Sequence, residues 1–303
     1  PRRDDEAFAS YKNRNKAALL NQEMNPNVAF SDSITFALQM GHPRTIRMKA
    51  DMIDNMDYNK ILAMYQDRYK DASDFTFILV GNVDVESMKP LIAEYLGALP
   101  TINRKESFKD NKIEYRKGVY KNEFVREQET AKASNFVSFI GTCKYDLKNS
   151  ILQDMTCQIM DLVYTEKVRE DEGGTYGVYV GGNLSKYPNE IAGIQIVFDT
   201  APSKREKLMK IIFAEIERIS KEGPSEANLN KVKEFMLKKH AEDLKENSYW
   251  MESIDEYLFT GMNPIKNYEQ TVNSITAKDI QKFADDLFKQ KNEVEVSMIS
   301  PDK

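Results

Sequence analysis

The chain has 303 residues, 41% hydrophobic and 30% charged, and its 43 Lys and Arg against 48 Asp and Glu leave a net charge of −5. At about 100–200 residues per domain this gives room for more than one domain and a sizeable core, and a mean hydropathy of −0.59 belongs to an ordinary globular composition, neither disordered nor collagen-like. No run approaches the roughly 20 apolar residues of a membrane-spanning helix, the first residues lack the two regions of a secretory signal, and the charges mix without a basic block, so neither a membrane nor nucleic acid is expected as a partner.

In chain order, hydrophobic spacing predicts helices over 5–25, 27–40 and 57–71, a strand over 75–81, and a helix over 85–96 capped by Asp84. Residues 101–112 are polar and charged with no apolar period, and read as a linker. Strands follow over 118–126 and 133–141, then a long helix over 147–170, then strands over 175–185 and 190–200. The short polar connection Lys186, Tyr187, Pro188 and Asn189 makes that last pair an antiparallel hairpin. Helices over 203–221, 225–245, 249–260 and 277–289 and a strand over 293–299 complete the pattern. Strands in one group beside helices in another predict an α+β fold, one antiparallel sheet with helices packed on one face.

An internal repeat cuts across this order. Pro43 and Pro264 stand 221 positions apart, and at that spacing Phe8 meets Leu229, Phe30 meets Met251, Phe36 meets Tyr257 and Leu38 meets Phe259. After a two-residue change of register, cheap in a loop, Ile53 meets Val272, Ile61 meets Ile280, Met64 meets Phe283, and Phe75, Phe77 and Leu79 meet Val294, Val296 and Met298. The stretch up to about residue 79 therefore reads as the second part of a unit of roughly 220 residues, with its first part expected upstream of Pro1, and the end of the chain reads as the same part of the next unit.

Chemistry-bearing residues are few. Cys143 and Cys157 form neither a disulfide framework nor a C-x-x-C motif. His42 and His240 are 198 positions apart, sit among polar neighbours and read as ordinary histidines, not zinc ligands. Trp250, Tyr249, Tyr257 and Phe259 stand at helical spacing and read as core, while Asp171 with Glu172, and Asp285 with Asp286, read as solvated helix ends.

The unusual stretch runs from Val168 to Gly182, where a helix ends in Gly173 and Gly174 and a strand begins at Thr175. Phosphate loops run strand, glycine loop, helix, so this direction excludes nucleotide binding. Taken alone, the glycines stop a helix, Arg169 complements its C-terminal dipole, and Tyr176 alternates with Val178 and Val180 on a strand face. The alternative is that a guanidinium and a phenol, seven positions apart, converge on a carbonyl oxygen. A Tyr hydroxyl titrates near 10 and remains a neutral donor to an oxyanion at pH 7.

The sequence resembles the pitrilysin-like, or insulinase, zinc peptidases, especially their long bacterial members, over essentially its whole length. The resemblance rests on Pro1 through Phe8, on Phe75 through Asp84 with its Val-Gly-Asn-Val-Asp run, on Tyr95 through Pro100, and on Arg169 through Val178. It implies four homologous domains in two halves that close on a peptide, with residues 1–100 the latter part of the third domain, 101–112 the linker and 113–303 the fourth. It further implies that Arg169 and Tyr176 contact the substrate carbonyl, in a loop with Gly173, Gly174 and Gly177. The family's inverted zinc motif H-x-x-E-H is absent from this sequence; zinc is expected in the N-terminal catalytic half of the same protein and none in this chain, which alone is expected to be inactive. Peptide substrate and that half are the expected partners, and the long bacterial relatives suggest the periplasm. A non-catalytic member acting as a peptide-binding or assembly subunit is the competing expectation.

Overall fold

A computed structural model describes residues 2–172 and 177–301, with 168–172 as backbone alone. The leading segment is helical: α1 (Asp5–Glu23), α2 (Pro26–Gln39), α3 (Ala50–Asp54), α4 (Tyr58–Tyr69) and α5 (Val85–Leu91), which continues into a π-helical turn, Ile92–Leu96. Then follow β1 (Val119–Val125), β2 (Ala133–Thr142), α6 (Leu147–Glu172), β3 (Val178–Ser185) and β4 (Ile191–Thr200). After a 3-10 turn come α7 (Arg205–Glu222), α8 (Glu226–Asp243), α9 (Asn247–Thr260), α10 (Tyr268–Ser274), α11 (Ala277–Phe288) and β5 (Glu293–Ile299).

Helix starts follow local chemistry. Asp4, Asp57 and Ser225 each place a side-chain oxygen on a free amide of the first turn, at 2.9, 2.9 and 3.2 Å, and Thr276 forms a reciprocal capping box with Asp279. These caps also follow the repeat: a shift of 221 relates Asp4 to Ser225, and one of 219 relates Asp57 to Thr276. The first shift carries α2 onto α9 end for end, the second carries α4 onto α11, and α3 falls within the span of α10. The short α3 and α10, with 5 and 7 residues, offer too few turns for a sequence period and were not expected.

The sheet order is β1-β5-β2-β4-β3. β2, β4, β3 and the β2–β5 pair are antiparallel, whereas β1 joins β5 in parallel, Val119 opposite Glu293 through Val125 opposite Ile299. The α+β class stands, and the sheet is mixed rather than wholly antiparallel. No hairpin constrains β1 and β5, which lie at opposite ends of this unit, so their direction follows from where α11 delivers β5.

On one face, α6, α7, α8 and α11 bury Met155, Tyr164, Ile212, Ile219, Ile280 and Leu287 against Val137, Ile194 and Ile196. On the other, α2 of the leading segment lays Phe30 and Ala37 over Phe136, Val294, Val296 and Met298. Within residues 113–303, α6, α7, α8 and α11 thus pack on one side of the sheet, and the preceding segment covers part of the opposite side.

The expected strand over 75–81 is not formed. Its residues have the β-favouring alternation of β5, but a strand is stabilised by a ladder, and no described strand pairs with it. Phe75, Phe77 and Leu79 are accordingly exposed. Trp250, Tyr257 and Phe259, expected in the core, are exposed as well.

Two positions carry visible costs. The residue closing α2 is Met40 in the left-handed region at φ 56°, where its counterpart closing α9 is Gly261 at φ 78°. A side chain there opposes the following carbonyl, and Met40 is half-exposed. Met40→Gly is expected to stabilise the fold by roughly 0.5–1 kcal/mol, read as a higher midpoint of thermal unfolding; a lower midpoint would show that the Met40 side chain contributes more than its backbone strain costs. The second is Glu293, which shares a strand face with Glu295 beside Lys121. Burial first, and then the neighbouring Glu295, push its carboxyl from 4.5 up to about 7. Because the folded value lies above the unfolded one, the native state favours the protonated form and loses stability as pH rises from 4.5 through about 7. Glu293→Gln should therefore raise the unfolding midpoint more at pH 8 than at pH 5, and an equal shift at both would remove Glu293 as the source.

Candidate functional site

The turn singled out in the sequence lies between α6 and β3. α6 runs 26 residues and carries Arg169 in its last turn; the side chain of Arg169, and Gly173, Gly174 and Tyr176 entirely, lie outside the described residues. Gly177 is described: it is exposed, at φ +104°, and among the described residues no side chain approaches where its Cβ would be. That backbone is one an L-residue rarely adopts, which is the local reason for glycine at the entry to β3.

Both flanks of the turn are fastened to the body of the domain. Three turns from its end, α6 places Asp161 under β3, whose Val180 amide donates to the carboxylate at 3.3 Å. Tyr164, fully buried, donates its hydroxyl to the Ile212 carbonyl of α7 at 3.0 Å, and burial raises its phenol well above the usual tyrosine range. Lys167 then reaches Glu215 of α7 at 2.6 Å. Glu215 has a side chain only 1% exposed and also takes two hydrogen bonds from Arg218 Nε at 2.9 Å each. A buried carboxylate needs such partners, and here they lock α6 to α7 two residues before Arg169. On the far side, Val178 pairs with Phe198 of β4 and is buried.

A cleft of about 850 Å³ opens between the α1–α2 corner, the segment leading into β2 and the end of β4, lined by Pro26, Gln128, Lys132 and Asp199 among others. Asp199 follows the residue that faces Val178 and pairs with Lys132 at 2.6 Å. Neither this ion pair nor the Lys167–Glu215 pair carries a sequence signal, because each joins residues 48 or more positions apart.

The described residues do not offer a zinc site. His42 accepts the Arg44 amide at one ring nitrogen and meets the Asn111 carbonyl at the other, at 3.2 and 3.1 Å. His240 is buried in α8, bonded to the Tyr249 hydroxyl at 2.9 Å and stacked on Tyr268. Among the described residues no group of three His, Cys, Asp or Glu side chains is placed to hold a metal ion. Burial pushes the Cys143 thiol to about 11 and the Cys157 thiol to about 12, which leaves neither as a thiolate nucleophile at neutral pH. Among the described residues no helix is long and apolar enough to cross a membrane.

Comparison with known proteins agrees with the resemblance. A PQQL-like zinc protease of Arabidopsis thaliana is 26% identical over 253 residues, 77% of this chain and 26% of that protein. The chain thus spans about a quarter of the length of that relative. The periplasmic protease PqqL of Escherichia coli superposes with a TM-score of 0.81 at 15% identity over 98% of this chain and 33% of its own. The peptidase M16 inactive domain from Pseudomonas fluorescens gives 0.76 at 18% identity over 100% of this chain and 72% of its own. At these identities the superpositions speak for the fold. The model of the family described as the peptidase M16 inactive domain matches residues 55–236, more than half of the chain, and the chain belongs to that pitrilysin-like peptidase family.

Proposed function

We propose that this chain is the C-terminal, substrate-closing part of a longer zinc-dependent endopeptidase. Residues 1–100 are the latter part of its third domain, 101–112 the linker and 113–303 the fourth. What carries the reading is the turn from Arg169 to Gly177, held between α6 and β3 on a frame fastened by Glu215 and Asp161, in a chain of the M16 inactive-domain family. Zinc, bound by the N-terminal half, supplies the Lewis-acid chemistry. Arg169 anchors the substrate carbonyl, and Tyr176 donates its hydroxyl proton in a hydrogen bond to the oxygen as negative charge develops on it. The glycines at 173, 174 and 177 let the backbone close up to the peptide. A chamber between two halves admits a peptide, and the protein works in the periplasm, a reading supported by the likeness to the periplasmic protease of Escherichia coli.

The test is made in the longer polypeptide. Tyr176→Phe should lower kcat by about 10²–10³ with little change in KM, as expected for one lost oxyanion donor, and leave the unfolding midpoint unchanged. Unaltered turnover in that variant overturns the assignment. A longer polypeptide that binds peptide but neither holds zinc nor cleaves would place the chain with the family's binding or assembly subunits instead.

A further inference from the structure

α6, α8, α9 and α10 surround a cavity of about 300 Å³, with Asp154, Met236, His240, Tyr249 and Tyr268 in its wall. Asp154 stands fifteen residues before Arg169, about 22 Å along α6, so the cavity is separate from the turn that follows that helix. His240 is only 5% exposed. Its Nδ1 meets the Tyr249 hydroxyl at 2.9 Å and its ring stacks on Tyr268 with centroids 4.2 Å apart, which leaves Nε2 without a partner among the described residues. A buried imidazole ordinarily satisfies both nitrogens.

Asp154 is unpartnered as well. Its own surface is open to solvent, yet it stands in a concavity whose walls desolvate the carboxyl and draw it from 3.8 up to about 6. Among the described residues it has neither an ion-pair nor a hydrogen-bond partner. Its charge is felt at Tyr268, whose phenol is held above the usual tyrosine range by burial first and Asp154 next. Lys239, the lysine of this wall, is already taken by Asp243. One uncompensated carboxylate therefore remains beside two phenol rings and a free imidazole nitrogen.

The fold does not demand this set. Carried back by 221 positions, His240 becomes Leu19 and Tyr249 becomes Val28, so the leading unit builds the corresponding helix pair with aliphatic side chains there. Packing alone is served by Leu and Val, and a buried polar cluster costs free energy unless something pairs with it.

We propose that this cavity binds an organic cation the size of one basic amino acid, its ammonium or guanidinium group held by Asp154 and its stem lying against Tyr249 and Tyr268. Ammonium and guanidinium groups are donors only, and the Asp154 carboxylate, His240 Nε2 and the Tyr268 hydroxyl can each accept. Aromatic faces attract cations, and a volume of this size lies at the lower end for small-molecule pockets. The site makes no use of Arg169, Tyr176 or zinc, so an inactive protein leaves the proposal standing.

Calorimetric titration of the longer polypeptide at pH 7.5 tests it. L-arginine or L-lysine should bind saturably below about 10 mM, and citrulline, the neutral counterpart of arginine, at least roughly tenfold more weakly. Asp154→Asn should weaken arginine by a similar factor, while Asp255→Asn, which removes an exposed carboxylate of α9 outside the cavity, should leave it unchanged. Because protonation of Asp154 competes with the cation, affinity should fall about tenfold from pH 7.5 to pH 5, and Asp154→Asn should abolish that step. Lys239, His240 and Asp243 of α8, Tyr249 of α9 and Tyr268 of α10 are the other titratable groups of the wall; His240→Leu, which installs the residue of the leading unit, separates the imidazole's part in the pH step from that of Asp154. Arginine and lysine capped at both ends distinguish the sources. Binding as tight as that of the free amino acids marks the side chain of a polypeptide as the cation, and its loss marks a free amino acid. Absence of saturable binding by arginine and lysine, equal binding of citrulline, or unchanged binding in Asp154→Asn would each overturn the site, and the citrulline comparison decides even if that variant does not fold.

Discussion

β5 is the last strand in the chain and the second in the sheet, and its insertion between β1 and β2 is the contact on which the layers depend. Its pattern is the reverse of a strand lying under helices with solvent on its other side. Val294, Val296 and Met298 face α2, while Glu293, Glu295 and Ser297 face the helical layer of their own unit. Burying polar groups there is tolerable only with partners. Lys121 reaches Glu295 from the neighbouring strand, and Arg205 of α7 donates to Ser297 and to Asn135, which is itself fully buried. Removing α2 would leave Val294, Val296 and Met298 in water. The leading segment is therefore part of this domain's core and not an appendage to it.

The same layer fixes the frame of the candidate site. A helix C-terminus gathers partial negative charge, and cations near it are favoured. α6 carries Lys167 there, and Glu215 converts that preference into a fixed position, because a carboxylate so deeply buried holds its cationic neighbours closely. Asp161 does the corresponding work at β3. A site whose two flanks are held by a helix pair and a paired strand is better positioned than one carried by a free loop.

Legibility in the sequence followed the length scale of each signal. Capping residues and the 3.6-residue period placed the long helices within a few residues, and the repeat related α2 to α9 and α4 to α11 without error at their ends. The α+β class followed from grouping alone. The parallel pairing of β1 with β5 did not, because no local feature of either strand records its distant neighbour. The segment 75–81 was read from propensity, which cannot see whether a ladder is available. Trp250, Tyr257 and Phe259 were read as core because a period shows that a face is apolar and is silent about what covers it. Among site residues, Arg169, Tyr176 and the loop glycines Gly173, Gly174 and Gly177 come from the resemblance, whereas Glu215, Asp161 and the Lys132–Asp199 pair arise only when distant segments meet.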